Sequence, residues 1–83
     1  MEKDYIIALR ECIEDRAKCF EKGLKIDYNA EIIDTKQYNL IMKRVDCVFK
    51  GLNTENIYNV DYQGLLNYIE GLQDMYNMIF WSL

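Results

Sequence analysis

The sequence predicts an all-α protein, a small antiparallel three-helix bundle, and two observations carry that prediction. Apolar residues recur at spacings of three and four in three separate stretches, which is the pattern of amphipathic helices. The chain has no proline and only four glycines, so little of it need be loop. Short connections make neighbouring helices antiparallel. We expect its 83 residues to form one domain, residues 1–83.

The first helix is expected over about residues 4–22. Gly23 is expected to end it, because glycine readily adopts the left-handed conformation of a residue just past a helix C-terminus. Leu24 could then fold back onto the last turn. The apolar stripe of this helix is Ile6, Leu9, Ile13, Ala17 and Phe20.

The second helix is expected over about residues 35–50. Asp34 and Gln37 have the spacing of a capping box, in which each side chain bonds to the other residue's backbone N–H. Ile33 and Tyr38 flank that cap as a hydrophobic staple. Gly51, followed by Leu52, repeats the predicted stop of the first helix. The apolar stripe is Tyr38, Ile41, Val45, Val48 and Leu52.

The third helix is expected over about residues 60–82, with its start near Asn59 or Asp61. Its main seam keeps a strict three-four spacing through Tyr62, Leu65, Ile69, Leu72, Tyr76, Ile79 and Leu83. A second stripe lies beside this seam and consists of Gly64, Tyr68, Gly71, Met75 and Met78. A glycine inside a helix costs about 1 kcal/mol relative to alanine, so two on one face favour a packing role over tolerated glycine.

The connections carry a different pattern. Residues 24–33 alternate apolar and polar positions over their first half, as strands do, and residues 56–60 are short, aromatic and β-branched. The two segments are expected, as an alternative to plain loops, to pair as a minor two-stranded β-ribbon.

Composition excludes several classes of function. The net charge is −4 and the basic residues are scattered singly, which argues against direct nucleic-acid binding. Cys12, Cys19 and Cys47 are odd in number and form no CxxC pair, and the chain has no histidine, so we expect no metal site. We expect reduced, mostly buried thiols and a cytoplasmic location, because no secretory signal or membrane span is recognisable.

Catalysis is not expected either. Without histidine, a nucleophile such as a cysteine has no evident activating base. The carboxylates of Glu11, Glu14 and Asp15 fall on the predicted solvent face of the first helix. Every glycine is isolated, so no phosphate-binding loop is present. We therefore predict a protein that is not an enzyme and needs no cofactor.

The aromatic and methionine content indicates an interaction surface. Aromatic residues make up 13% of the chain, and the end of the third helix is apolar around more than half its circumference, whereas a surface helix has one apolar stripe. Core packing is the alternative explanation. Trp81 stands out because the heptad places it on the polar side. The residues predicted at a partner or self-association interface are Gly64, Tyr68, Gly71, Met75, Met78, Phe80 and Trp81.

The function expected from these features is that of a small acidic interaction protein. It would bind and inhibit or regulate a protein partner, and it would form a homo-oligomer, with a dimer as the first expectation. Frequent isoleucine, asparagine, tyrosine and lysine suit an AT-rich genome. That usage favours a phage or mobile-element protein acting against host machinery such as a defence system.

The alternative function is an oligomer that binds or sequesters a small ligand of the nucleotide type. Tyrosines at a subunit boundary could stack on a base while basic side chains meet its phosphates. The residues predicted for those contacts are Tyr28, Tyr58, Lys22, Lys25 and Arg44.

Overall fold

Three α-helices pack against one another in the computed structural model, which describes residues 2–53 and 56–80. Helix α1 spans Glu2–Asn29, α2 spans Thr35–Leu52 and α3 spans Tyr62–Phe80, with a short 3₁₀ turn at Ile57–Asn59. The described residues contain no β-strand. The prediction of an all-α three-helix bundle is therefore confirmed.

Contacts between α1 and α3 show that these two helices run in the same direction. Arg16 forms an ion pair with Glu70 at 3.0 Å. Eleven residues farther along α1, the carboxyl group of Asp27 accepts a hydrogen bond from the hydroxyl of Tyr76. Because α2 returns between them, it runs antiparallel to both.

Contacts between α1 and the rest of the chain mark the two ends of the bundle. At one end, the ring of Tyr28 stacks on that of Tyr38, with centroids 4.7 Å apart. At the other end, the guanidinium of Arg10 donates a hydrogen bond of 3.4 Å to the side chain of Asn53. The α1–α2 connection and the α2–α3 connection therefore lie at opposite ends.

A single hydrophobic core fills the space between the three helices. It follows the predicted stripes, because positions three and four apart share one face of a helix. The buried apolar residues are Ile13, Ala17, Phe20, Leu24, Ile33, Val45, Val48, Leu52, Tyr62, Ile69 and Tyr76.

Helix α1 runs past Gly23, so the predicted end at residue 22 is wrong. The apolar stripe continues beyond the glycine, and Leu24 is completely buried. No glycine in the described residues has a positive φ, so neither Gly23 nor Gly51 takes the left-handed conformation. Core packing outweighs the intrinsic cost of one glycine inside a helix.

The true end of α1 is a left-handed stop at a glutamate. Glu31 has φ = 63°. The N–H of Ile32 bonds to the carbonyl of Asp27 at 2.9 Å, and the N–H of Glu31 bonds to the carbonyl of Tyr28 at 3.1 Å. These two bonds are the 6→1 and 5→2 pair of a Schellman motif. The motif uses a non-glycine residue, which is why a search for glycine misses it.

Helix α2 begins as the sequence predicts. The N–H of Gln37 donates to Oδ1 of Asp34 at 2.7 Å, and the N–H of Asp34 donates to Oε1 of Gln37 at 2.9 Å. The flanking Ile33 is buried and Tyr38 packs against the core, as a hydrophobic staple requires. The helix continues through Gly51 to Leu52, two residues past the predicted end.

The predicted β-ribbon is not formed. Residues 24–29 are the last turns of α1, and most of residues 56–60 are the 3₁₀ turn. The alternation is too short to separate from a helical stripe. Leu24 is buried whereas Ile26 is 66% exposed, so these positions do not share one face as they would in a strand. Helix α3 starts after Asp61, whose Oδ1 accepts a hydrogen bond from the N–H of Gly64 at 3.0 Å.

Ile79 departs from the predicted seam of α3, because its side chain is 64% exposed. A straight helix drifts by about 20° per heptad from a seven-residue repeat. Over the two heptads after Tyr62 that drift turns the seam away from the core, and Phe80 packs inward instead, with its ring centroid 4.9 Å from that of Tyr76. The last seam position, Leu83, lies outside the described residues.

The surface of the bundle differs from expectation at the cysteines. Cys12, Cys19 and Cys47 are exposed free thiols, so the prediction of mostly buried thiols is wrong. Each lies on a helix flank outside the buried apolar positions. None of the helices, as far as the structure describes them, combines the length and apolarity needed to cross a membrane.

Candidate functional site

An open crevice runs along the seam between α2 and α3. Three hollows in a row form it, and their walls come from α2, α3 and the segment that joins them, without a described residue of α1. We call this feature the α2–α3 crevice. Since the two helices are antiparallel, residue numbers fall along one wall as they rise along the other.

The end of the crevice near the start of α2 is apolar and exposed. Leu40 is 58% exposed, Met75 is 58% exposed and Ile79 is 64% exposed. They surround a hollow of about 340 Å³ whose inner wall includes Tyr76 and Phe80. Large aliphatic side chains with this exposure form a continuous patch, which monomeric proteins usually keep small.

The middle of the crevice contains one charged side chain, Arg44, and one position without a side chain, Gly71. Arg44 stands on the α2 wall opposite Tyr68, Gly71 and Leu72. A Cβ placed on Gly71 would meet nothing within 4 Å, so this stretch of α3 presents bare backbone to the crevice. Tyr68 is 40% exposed and keeps an aromatic face there.

The far end of the crevice is lined by small residues and by the helix connection. Cys47 and Gly51 on α2 lie opposite Gly64 and Tyr68 on α3, around a hollow of about 620 Å³. A Cβ on Gly51 would meet a methyl group of Leu65 at 3.0 Å, so the two helices approach closely at this level. Large exposed apolar side chains therefore surround one end of the crevice, and the segment that joins the two helices lines the other end.

Both walls follow a three-four repeat that is separate from the core stripes. On α3 this repeat is the predicted second stripe as far as Met75, and on α2 sequence reasoning missed it. The α2 wall consists of Gln37, Leu40, Arg44, Cys47 and Gly51. A second stripe beside a core stripe is the pattern of a helix that contacts partners on two sides. The three-four spacing is present in the sequence, but a search for apolar residues does not find it, because some of its positions are polar.

Five of the seven predicted interface residues line the crevice. The five are Gly64, Tyr68, Gly71, Met75 and Phe80. Met78 lies on the same helix, 72% exposed, beside the crevice rather than in its wall. Trp81 lies outside the described residues.

The residues predicted to contact a nucleotide-type ligand are not brought together. Tyr28 is at the α1–α2 end, where its hydroxyl also bonds to Thr35 at 2.8 Å, and Tyr58 is at the opposite end. Lys25 pairs with Glu21 on the surface of α1 at 3.5 Å, and Lys22 is exposed on the same helix. Arg44 alone of the five lines the crevice.

The ionisable groups do not form a reactive cluster. The described residues hold no group of three or more potential metal-ligating side chains. Glu14 and Lys18 form an ion pair on the surface of α1, 2.8 Å apart. The hydrogen bond from Lys18, together with its charge, lowers the pKa of the Glu14 carboxyl, and the same contact raises the pKa of Lys18. This is a helix-surface ion pair.

The fold and the crevice together define a small helical-bundle protein with an open apolar face between two of its helices. Comparison with protein-family models, with characterised proteins and with solved structures finds no match to this chain. Its function is therefore argued from the crevice itself.

Proposed function

We propose that this chain is a non-enzymatic interaction protein that binds a helical surface of another protein subunit through the α2–α3 crevice. The observation that carries the proposal is the exposure of Leu40, Met75 and Ile79 around one apolar hollow. A helix laid along two antiparallel helices would complete a four-helix arrangement and bury all three side chains.

Burial at this site supplies a substantial driving force. Complete burial of one large aliphatic side chain contributes about 1.5–3 kcal/mol. More than half of each of the three side chains is exposed before binding, so each contributes roughly 1 kcal/mol or more. Met75 adds adaptability, because its unbranched thioether side chain adjusts to irregular surfaces.

The shape of the crevice favours a macromolecule over a small ligand. Small-molecule sites enclose most of their ligand and place several polar groups around it. The crevice is an open trough with Arg44 as the charged side chain of its middle section. Such a trough fits the apolar face of a helix, with Arg44 available to an acidic residue on that helix.

Inhibition or regulation of a host protein by a phage or mobile-element protein is the biological role that we propose for this binding. The support is compositional, from small size, acidity and the residue usage of an AT-rich genome. The exposed apolar face would let this small chain act on a partner by binding alone.

The test compares two lysine substitutions at matched positions. Ile79→Lys places a charge in the crevice, and Ile26→Lys places the same charge on α1, at a side chain that is 66% exposed and lies three residues before the end of that helix. Tagged protein is used to capture partners from cells of the presumed host, with quantitative mass spectrometry. A specific partner should be retained by Ile26→Lys and lost with Ile79→Lys.

A contrary result is equally clear. If Ile79→Lys and Met75→Lys both recover the same proteins as the unmodified chain, the crevice is not the binding surface. Circular dichroism of each variant confirms that the bundle is intact. The substitutions fall on exposed side chains, so we expect their helix content to be unchanged.

A further inference from the structure

The two helices that form the crevice carry opposite net charge; Arg44 is the charged side chain that lines the α2 wall, and Glu70 of α3 is paired with Arg16 of α1. Helix α2 has four basic residues and one acidic residue, a net charge of +3. Helix α3 has two acidic residues, Glu70 and Asp74, and no basic residue, a net charge of −2. Electrostatic complementarity of this kind fixes the orientation of a partner. A face formed by one helix of positive and one of negative net charge is complementary to a suitably turned copy of itself.

The apolar side chains are also unevenly placed along the crevice. The largely exposed Leu40, Met75 and Ile79 occupy one end, whereas the apolar residues at the other end, Val48, Val60 and Leu65, are buried or half-buried. A dimer that matches both charge and apolarity must place α2 of one copy over α3 of the other and must place the two apolar ends together. A two-fold axis can lie parallel to the helices or across them, and only one of these axes meets both requirements.

We propose that a second copy of this chain covers the α2–α3 crevice, in a dimer whose two-fold axis lies parallel to the helices. That axis puts α2 of each copy over α3 of the other and keeps every residue at its own level. The clusters around Leu40 then meet each other. An axis across the helices instead puts α2 on α2, with like charges opposed and the exposed apolar end against the far end. The inference rests on the proposed function, since both use the same face.

The dimer makes a specific ion pair. Arg44 lies level with Leu72 across the crevice, and Gly51 lies level with Leu65, so Lys43 is within about one residue of the level of Asp74. Both side chains are exposed on the outer flanks of their helices, and neither has an ion-pair partner among the described residues. The axis parallel to the helices brings Lys43 to the partner subunit's Asp74, twice per dimer.

The face is large enough for this role. The nineteen residues of α3 extend for about 28 Å at ~1.5 Å per residue, and two helices side by side are about 20 Å wide. A standard interface buries about 800 Å² per partner, roughly an eighth of the 6047 Å² surface of the chain. Side chains project from this footprint, so its accessible surface exceeds its flat area and approaches the area of a standard interface.

Sedimentation velocity of the full chain over a wide concentration range is the first test. We expect a reversible monomer–dimer equilibrium. Ile79→Lys should raise the dissociation constant by about tenfold or more, since it places a charge at the centre of the apolar contact. Ile26→Lys should leave the constant unchanged. A chain that stays monomeric at millimolar concentration overturns the dimer, and so does a dimer that tolerates both Ile79→Lys and Met75→Lys.

A charge exchange tests the symmetry axis. Lys43→Glu and Asp74→Lys should each weaken the dimer several-fold, because each opposes like charges twice. The double variant restores opposite charges and should return the dissociation constant to near that of the unmodified chain. A double variant as weak as the two single effects combined overturns this arrangement.

The dimer and the proposed function can be overturned independently of each other. A monomeric chain that still captures a foreign protein through Ile79 leaves the proposed function standing and removes the dimer. A chain that Ile79→Lys dissociates as a dimer, but that captures no foreign protein through Ile79, supports the dimer and removes the proposed function. A monomer whose captured proteins do not respond to Ile79→Lys or Met75→Lys removes both.

Discussion

The hydroxyl of Tyr76 donates a hydrogen bond to the carboxyl group of Asp27 in the interior of the bundle, where the two residues are only 6% and 7% exposed. This bond joins α1 to α3 across 49 residues of sequence. A buried carboxyl group is costly without such a donor. The pair therefore couples the last turns of α1 to α3, and the ring of Tyr76 also packs edge-on against Phe20.

Removing two buried tyrosine hydroxyls should have opposite consequences. Tyr76→Phe leaves Asp27 without this donor and should lower the free energy of unfolding by about 1–3 kcal/mol. Tyr62 is equally buried, but its hydroxyl has no hydrogen-bond partner among the described residues. Tyr62→Phe should change the stability by less than about 0.5 kcal/mol or increase it. Urea unfolding of both variants measures the difference, and equal losses would contradict the assignment of the bond.

The left-handed stop after α1 predicts that a glycine is preferred at position 31. Glu31 adopts φ = 63°, which costs a residue with a Cβ about 1–2 kcal/mol. Glu31→Gly should raise the free energy of unfolding by about 0.5–1 kcal/mol, after the added entropy of a glycine in the unfolded chain. Glu31→Ala keeps the Cβ and serves as the control. If the alanine variant is as stable as the glycine variant, the backbone conformation is not the cause.

Two glycines inside helices should respond differently to the same substitution. A Cβ on Gly23 meets nothing within 4 Å, so Gly23→Ala should stabilise the protein by about 1 kcal/mol. A Cβ on Gly51 meets Leu65 at 3.0 Å, so Gly51→Ala must move that side chain and should gain less or lose stability. Thermal unfolding of the two variants compares them directly. Equal gains would show that α2 and α3 are not in close contact at Gly51.

The ion pair on α1 predicts a local effect of pH. The pKa of Glu14 is lowered chiefly by the hydrogen bond from Lys18, so the stability from this group is present above the usual carboxyl pKa and is lost as the pH falls through the lowered value. Lys18→Met should return the pKa of Glu14 towards its usual range, as measured by NMR titration. Because both groups face solvent, we expect no measurable change in Tm. A large loss of Tm would contradict an exposed pair.

The candidate interface was only partly foreseeable. The second stripe on α3 is apolar enough to be recognised, and most of its members line the crevice. The matching wall on α2 contains Gln37, Arg44 and Cys47, so hydrophobicity alone does not reveal it. The prediction of ligand contacts at Tyr28 and Tyr58 depends on residue type alone, and only the path of the chain places the two at opposite ends of the bundle.

The sequence by itself determined the number of helices, the capping box at Asp34 and most of the core, because these depend on local hydrogen bonds and on the helical repeat. Only the tertiary structure decided where α1 ends, since burial of Leu24 outweighs the local signal of Gly23. It also decided that Ile79 faces outward, because the drift of a straight helix accumulates over several turns. Packing likewise leaves the crevice open, as α1 covers only one side of the pair formed by α2 and α3.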